Sequence, residues 1–216
     1  MKSNILTIMN LDIEKNKAEF IHLLKSTNRE GVDDMIEELC RLDFFNAPAS
    51  AGHHLNVEGG LALHSLYTCK AALAIWEAMK PIEPSLENEV TRDSVIIASL
   101  LHDVCKSDIY VRTVKKRKNA IGQWEDCEGY KTSYKNFPMG HGEKSVILIL
   151  CGGLELTDAE MLAIRWHMGA WGINMNSIEE VKNFDIAQKL HPLVCIIHTA
   201  DNLAANILER TGEELD

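Results

Sequence analysis

The chain has 216 residues, of which 46% are apolar and 25% charged, a globular balance that excludes disorder and collagen-like repeats. Lys and Arg total 22 against 32 Asp and Glu, and the net charge of −10 argues against avid nonspecific binding of duplex nucleic acid. No apolar run approaches the roughly 18 residues of a membrane span, and Met1 to Met9 lacks the long apolar stretch of a secretory leader. The six cysteines lie far apart with no C-x-x-C pair, which reads as reduced thiols in a cytoplasmic protein.

The length suits a single domain over residues 1–216, with N-terminal helices in 1–48 and a core in 49–209. Residues 11–25 and 32–42 read as the first two helices, and an irregular stretch with Pro48, Gly52 and Gly59-Gly60 follows. A helix over 61–79 is predicted because Ala62, Leu66, Cys69, Leu73 and Trp76 recur at helical spacing, and its other side carries Tyr67, Ala71, Ile75 and Ala78. Such a helix is central. Pro81 and Pro84 end it. The next helix, 91–106, contains the nearly all-apolar run Val95 to Leu101 and reads as buried.

Over residues 109–134 the period changes. Ile109 to Val114 is rich in β-branched residues, Lys118 to Gly122 suits a turn, and Trp124 could begin a return strand, so a small β-hairpin is expected there. Helical pattern resumes over 143–150 and again over 158–168, where Thr157 and Glu160 fit a capping box. Helices over 178–189 and 192–209, the latter with Pro192 in its first turn, complete an all-α architecture.

The anomaly in this pattern is charge inside apolar helix. His102-Asp103 directly follows the apolar run, Asp201 sits in Val194 to Ala200, and His64 lies on the second apolar face of the 61–79 helix. An ionised carboxylate in such surroundings costs several kcal/mol unless compensated. A single core His can be satisfied by a backbone carbonyl, and a buried Asp can pair with Arg or cap a helix. No obvious buried Arg lies in these three helices to neutralise both aspartates, whereas one divalent cation would compensate both and leave the imidazoles neutral. Mixed His and Asp ligands suit Zn, Mn, Fe, Ni, Co or Mg rather than a thiolate-bound structural zinc.

A lone His, an adjacent His-Asp and a distant Asp resemble the HD-domain superfamily of metal-dependent phosphohydrolases. The matching strings are Gly59-Gly60-Leu61-Ala62-Leu63-His64, Leu100-Leu101-His102-Asp103-Val104-Cys105-Lys106 and His198-Thr199-Ala200-Asp201. The resemblance implies a compact helical bundle in which His64, His102, Asp103 and Asp201 hold one ion. Gly140-His141-Gly142-Glu143 and Arg165-Trp166-His167 are similar to the binuclear branch of that superfamily, which implies a second ion on Asp103, His141 and His167. Members with an adjacent histidine pair have an extra ligand; here Met168 follows His167.

Metal-activated water attacking a phosphate ester is the chemistry implied, with Asp103 bridging two ions and Lys106 facing the phosphate. Lys106 also reads simply as a helix-end lysine. His53 and His54 are either substrate contacts or solvated loop residues, and His198 lines the pocket or hydrogen-bonds a ligand. The run Lys115-Lys116-Arg117-Lys118, near Trp124, Tyr130 and Tyr134, is either a solvated hairpin tip or a guide for single-stranded phosphate backbone. The expected substrate is a phosphorylated small molecule, a nucleotide or a short oligonucleotide. A di-iron oxygenase of the same superfamily, acting on a small polyol or phosphonate, and a metal-stabilised binding protein without turnover are the alternatives.

Overall fold

A computed structural model describes residues 11–119 and 121–210. The first nine residues, read above for a leader, lie outside the described residues, as do Ala120 of the hairpin turn and residues 211–216. The described chain is mostly helical with one two-stranded antiparallel sheet.

Helix α1 spans Ile13–Lys25, started by Asp12, whose carboxylate accepts from the Lys15 N–H at 3.0 Å. Helix α2 spans Val32–Arg41 and buries Val32, Met35 and Leu39 at i, i+3 and i+7. Phe20 of α1 packs on Phe44 and Phe45 with ring centroids 5.2 and 5.4 Å apart, so both N-terminal helices join the same core as the rest. Helix α3, Gly60–Met79, packs against α1, α5 (Arg92–Leu101) and α10 (Pro192–Leu203), which is why it is apolar on both faces. A short helix α4, Leu86–Glu89, follows the proline pair.

The expected helix over 91–106 is instead two pieces. Thr91 caps α5, its hydroxyl accepting from the Ser94 N–H at 3.1 Å, and regular helix stops at Leu101. The Ser99 carbonyl, due to accept from residue 103, accepts instead from His102 Nδ1–H at 2.8 Å. The chain tightens through three-residue steps, Val104 N–H to Leu101 C=O and Lys106 N–H to Asp103 C=O, before the short helix α6, Lys106–Ile109. His102 and Asp103 therefore sit in a turn between helices.

Strands β1 (Tyr110–Lys118) and β2 (Trp124–Thr132) form the hairpin, in register Tyr110 with Thr132 through Lys118 with Trp124. Beyond it come α7 (His141–Cys151), α8 (Asp158–Trp166) and α9 (Ile178–Leu190). The capping box at the start of α8 is present, and Glu160 within it also receives both guanidinium nitrogens of Arg29. The last helix is shorter than its periodicity predicts: α10 ends at Leu203 and widens into a π-helical turn over Ala204–Leu208.

A candidate metal centre

Four elements deliver the imidazoles, and two glycines let them approach. A Cβ on Gly60 would lie 2.1 Å from the Leu55 carbonyl oxygen, so only glycine lets the 49–59 loop press on the start of α3. That contact brings His54 beside His64, ring centroids 5.1 Å apart. A Cβ on Gly142 would lie 2.2 Å from the Arg165 carbonyl oxygen, so the start of α7 docks on the end of α8 and His141 meets His167 at 5.3 Å.

Asp103, 1% exposed, stands at the middle of the cluster. Its two oxygens face different groups. Oδ1 lies 2.5 Å from His141 Nε2 and 3.3 Å from His167 Nε2. Oδ2 lies 3.2 Å from His102 Nε2, 3.4 Å from His64 Nε2 and 2.5 Å from Lys106 Nζ. Asp201, from α10, places Oδ1 3.1 Å from His64 Nε2 and 3.8 Å from His102 Nε2. The sets His64–His102–Asp103, His102–His167–Asp201 and Asp103–His141–His167 each bring their ligand atoms within 4.8 Å of one another.

The tautomers follow from the partners of the other ring nitrogens. A carbonyl or carboxylate only accepts, so Nδ1 carries the hydrogen where it meets one. His102 Nδ1 donates to Ser99 C=O at 2.8 Å, His167 Nδ1 to Ile164 C=O at 2.7 Å, and His64 Nδ1 to Glu209 Oε1 at 2.7 Å. In the neutral rings every Nε2 therefore presents a lone pair inward. His167 Nε2 is buried with no hydrogen-bond partner. Three carboxylates, Asp103, Asp201 and Glu209, stand against the single ammonium of Lys106, leaving two negative charges in a largely buried cluster. Converging nitrogen lone pairs and a twofold negative excess fit a divalent cation of borderline or hard character.

Without a cation, protons take its place. Burial opposes charge on His64, but the hydrogen bonds its ring donates to Asp103, Asp201 and Glu209 hold it well above the usual imidazole range. Burial likewise opposes charge on His141, yet the Asp103 carboxylate outweighs it and pushes His141 up to about 9. Asp103 is held well below the usual carboxylate range: burial acts against ionisation, and Lys106, His102 and His141 overcome it.

The remaining candidates separate. His54, with burial pushing it down to about 4, borders the cluster, whereas His53 is exposed and uses its backbone N–H on Ser50 Oγ. His198 donates from Nδ1 to the His167 carbonyl at 2.6 Å and braces the turn that carries His167. In the basic run, Lys115 Nζ donates to Ala51 C=O at 2.6 Å, Lys116 pairs with Asp126, and Lys118 lies over the Trp124 ring. Sequence reasoning missed Glu209, an acidic residue at the end of a helix that carried no spacing signal. It missed as well Cys105, whose thiol meets His141 Nδ1 at 3.3 Å.

The chain is 33% identical over 103 residues to dihydroneopterin 2',3'-cyclic phosphate phosphodiesterase of Methanocaldococcus jannaschii, a match of 47% of this chain and 37% of that protein. This chain thus spans little more than a third of that relative's length. No family model matches the chain. No solved structure matches it.

Proposed function

We propose that the protein is an HD-type metal-dependent phosphohydrolase that opens a phosphodiester of a small molecule, a cyclic phosphate foremost. The observation that carries this reading is the division of Asp103: one oxygen toward His141 and His167, the other toward His64 and His102. A carboxylate so placed faces two ligand sets: His64, His102, Asp103 and Asp201 would hold one ion, and Asp103, His141 and His167 would hold a second. Bound ions supply a water of lowered pKa and a Lewis acid for phosphoryl oxygens. The similarity to a cyclic-phosphate phosphodiesterase supports the same reaction class.

The chain's own groups then do three things. Asp103 aligns the two ligand sets. Lys106 keeps its proton against burial because Asp103 and Asp201 lie near, and so brings a fixed positive charge to the position where phosphoryl charge develops. His54, neutral at physiological pH, offers the cleft a hydrogen-bonding group without charge. The oxygen of water adds to phosphorus, one P–O ester bond breaks, and the proton lost by that water ends on the freed oxygen, so a cyclic phosphate becomes a single monoester bearing a free hydroxyl.

The hairpin favours a small substrate over an oligonucleotide. Its basic strand lies in register with Glu125, Asp126 and Glu128 of β2, so the positive run is largely offset by its neighbour. The deciding experiment supplies Mn²⁺, Fe²⁺, Co²⁺, Ni²⁺, Zn²⁺ or Mg²⁺ to the purified protein and assays 2',3'-cyclic and 3',5'-cyclic nucleotides, linear diesters and monoesters. Metal-dependent opening of a cyclic phosphate is the expected result. No phosphoester turnover with any ion, alongside oxygen consumption by the iron form, would replace this reading with the oxygenase.

A further inference from the structure

Glu209 is a buried acid whose placement has a price and no evident structural return. Its side chain is fully buried, Oε1 accepts from His64 Nδ1–H at 2.7 Å, and Oε2 is buried with no hydrogen-bond partner. His54 Nε2 lies 3.9 Å from Oε2, beyond hydrogen-bond reach, and is itself buried and unpartnered. A carboxylate kept out of water with one oxygen unpaired is destabilising, and a single hydrogen bond to one ring does not offset that.

The backbone is bent to put it there. Eight residues of regular helix after Asp201 would leave Glu209 about 80° around the axis from it. The π-helical turn over Ala204–Leu208, closed by Glu209 N–H to Ala204 C=O at 3.1 Å, winds less per residue and brings the carboxylate back toward the ligand face. One helix thus delivers Asp201 to His64 Nε2 and Glu209 to His64 Nδ1, gripping the ring from both nitrogens.

We propose that Glu209 is a positioning residue that fixes His64 in its Nδ1–H tautomer and, by its charge, strengthens Nε2 as a ligand of the first ion. The inference rests on the metal reading above. His102 and His167 donate their Nδ1 hydrogens to neutral carbonyls, and His141 Nδ1 meets a thiol, so of these four rings His64 alone has an anionic partner on Nδ1. An anionic acceptor makes the opposite nitrogen a better donor to a metal. The first ion is therefore the tighter of the two.

The test uses Zn²⁺ as the probe, read by calorimetry and elemental analysis rather than by turnover. Glu209→Gln keeps a hydrogen-bond acceptor and removes the charge. It should weaken the first Zn²⁺ by about 10- to 100-fold and leave the second within about threefold. In a His64→Ala background the same change should have no further effect, because Glu209 acts through that ring. Long-range ¹H–¹⁵N spectra of the zinc-loaded wild type should show His64 protonated on Nδ1, which tests the inference even if the variants fold poorly. Wild-type affinity in Glu209→Gln, an undiminished effect in the His64→Ala background, or an Nε2–H tautomer would each overturn it. Wild type that takes up no Zn²⁺ would instead remove the metal reading on which it stands.

Discussion

The Nε2 atoms of His64 and His102 lie 3.2 Å apart, and each ring has already spent its Nδ1 hydrogen elsewhere. Two neutral imidazoles so arranged, both fully buried, oppose lone pair to lone pair. Something positive must lie between or beside them, a proton or a metal ion. The fold thus stores a need for cation that its helices alone do not meet.

Metal should therefore act as a folding ligand. At a free ion concentration 1,000 times its dissociation constant, one bound ion adds about 4 kcal/mol of stability. Chelation should lower Tm by many degrees, and Asp103→Ala should remove most of that shift together with the metal content. His141→Ala should lose one ion and keep the other. Equal metal loss in both variants, measured by elemental analysis, would refute the two-site division of Asp103.

The pH dependence of the metal-free protein has a definite sign. His141 is raised from the ordinary imidazole value near 6.5 to about 9, so its pairing with Asp103 contributes fully below pH 6.5 and is lost as pH rises through 9. Asp103 stays ionised throughout, being held well below the usual carboxylate range. In excess EDTA, Tm should fall between pH 6.5 and 9.5, and His141→Ala should flatten that fall. With metal bound the trend should reverse over the lower part of the range, since protons compete for the same nitrogens.

Most of the fold was legible because burial writes periodicity into helices. The 61–79 pattern is within a residue of α3, and Thr157 with Glu160 does form the capping box. The break after Leu101 was not legible: an unbroken apolar run gives no hint that a histidine will take the Ser99 carbonyl from the backbone. His64, His102, Asp103 and Asp201 stood out as polar groups at apolar positions, whereas His141 and His167 were singled out only through the resemblance. His102 and His167 turn out to satisfy the ordinary expectation for a core histidine, a carbonyl partner, and that same bond is what aims the other nitrogen inward. Glu209 was invisible because an acid at a helix end is usually solvated, and only the π-helical turn carries it inside.

Arg29 and Glu160 offer a test of the scaffold apart from the site. Glu160 is fully buried and binds Arg29 at 2.9 and 3.1 Å as well as the Thr157 N–H at 2.8 Å, which locks the α1–α2 turn to the start of α8. Arg29→Ala leaves that carboxylate uncompensated. The loss should approach the roughly 3–5 kcal/mol of a broken buried pair, read as a shift of the denaturation midpoint at constant slope. Adding Glu160→Gln should recover part of it, with metal content unchanged in both variants.

The last prediction separates the role of Lys106 from that of the hairpin. Lys106 Nζ is 2.5 Å from Asp103 Oδ2, and on the proposed reading its charge would act on the phosphoryl group rather than on a distant part of the substrate. Lys106→Ala should lower kcat/KM for a cyclic phosphate by about 10²- to 10³-fold, the cost of a lost electrostatic donor, and should do so chiefly through kcat. Metal content should persist, because the ammonium is no ligand. Replacing Lys116, Arg117 and Lys118 by Gln should leave that small substrate within about twofold, since Lys116 already faces Asp126 and Arg117 stands opposite Glu125. Lys115 is left in place because it ties the hairpin to the Ala51 carbonyl of the loop that carries His54. A phosphate-backbone guide would behave differently: the triple variant would lose activity on a 10-mer, and the loss would shrink as salt rises. Measuring both substrates at low and high salt distinguishes the two. A salt-dependent loss confined to the 10-mer would move the substrate from small cyclic phosphates to single-stranded oligonucleotides, while a loss on both would make the hairpin part of the catalytic cleft.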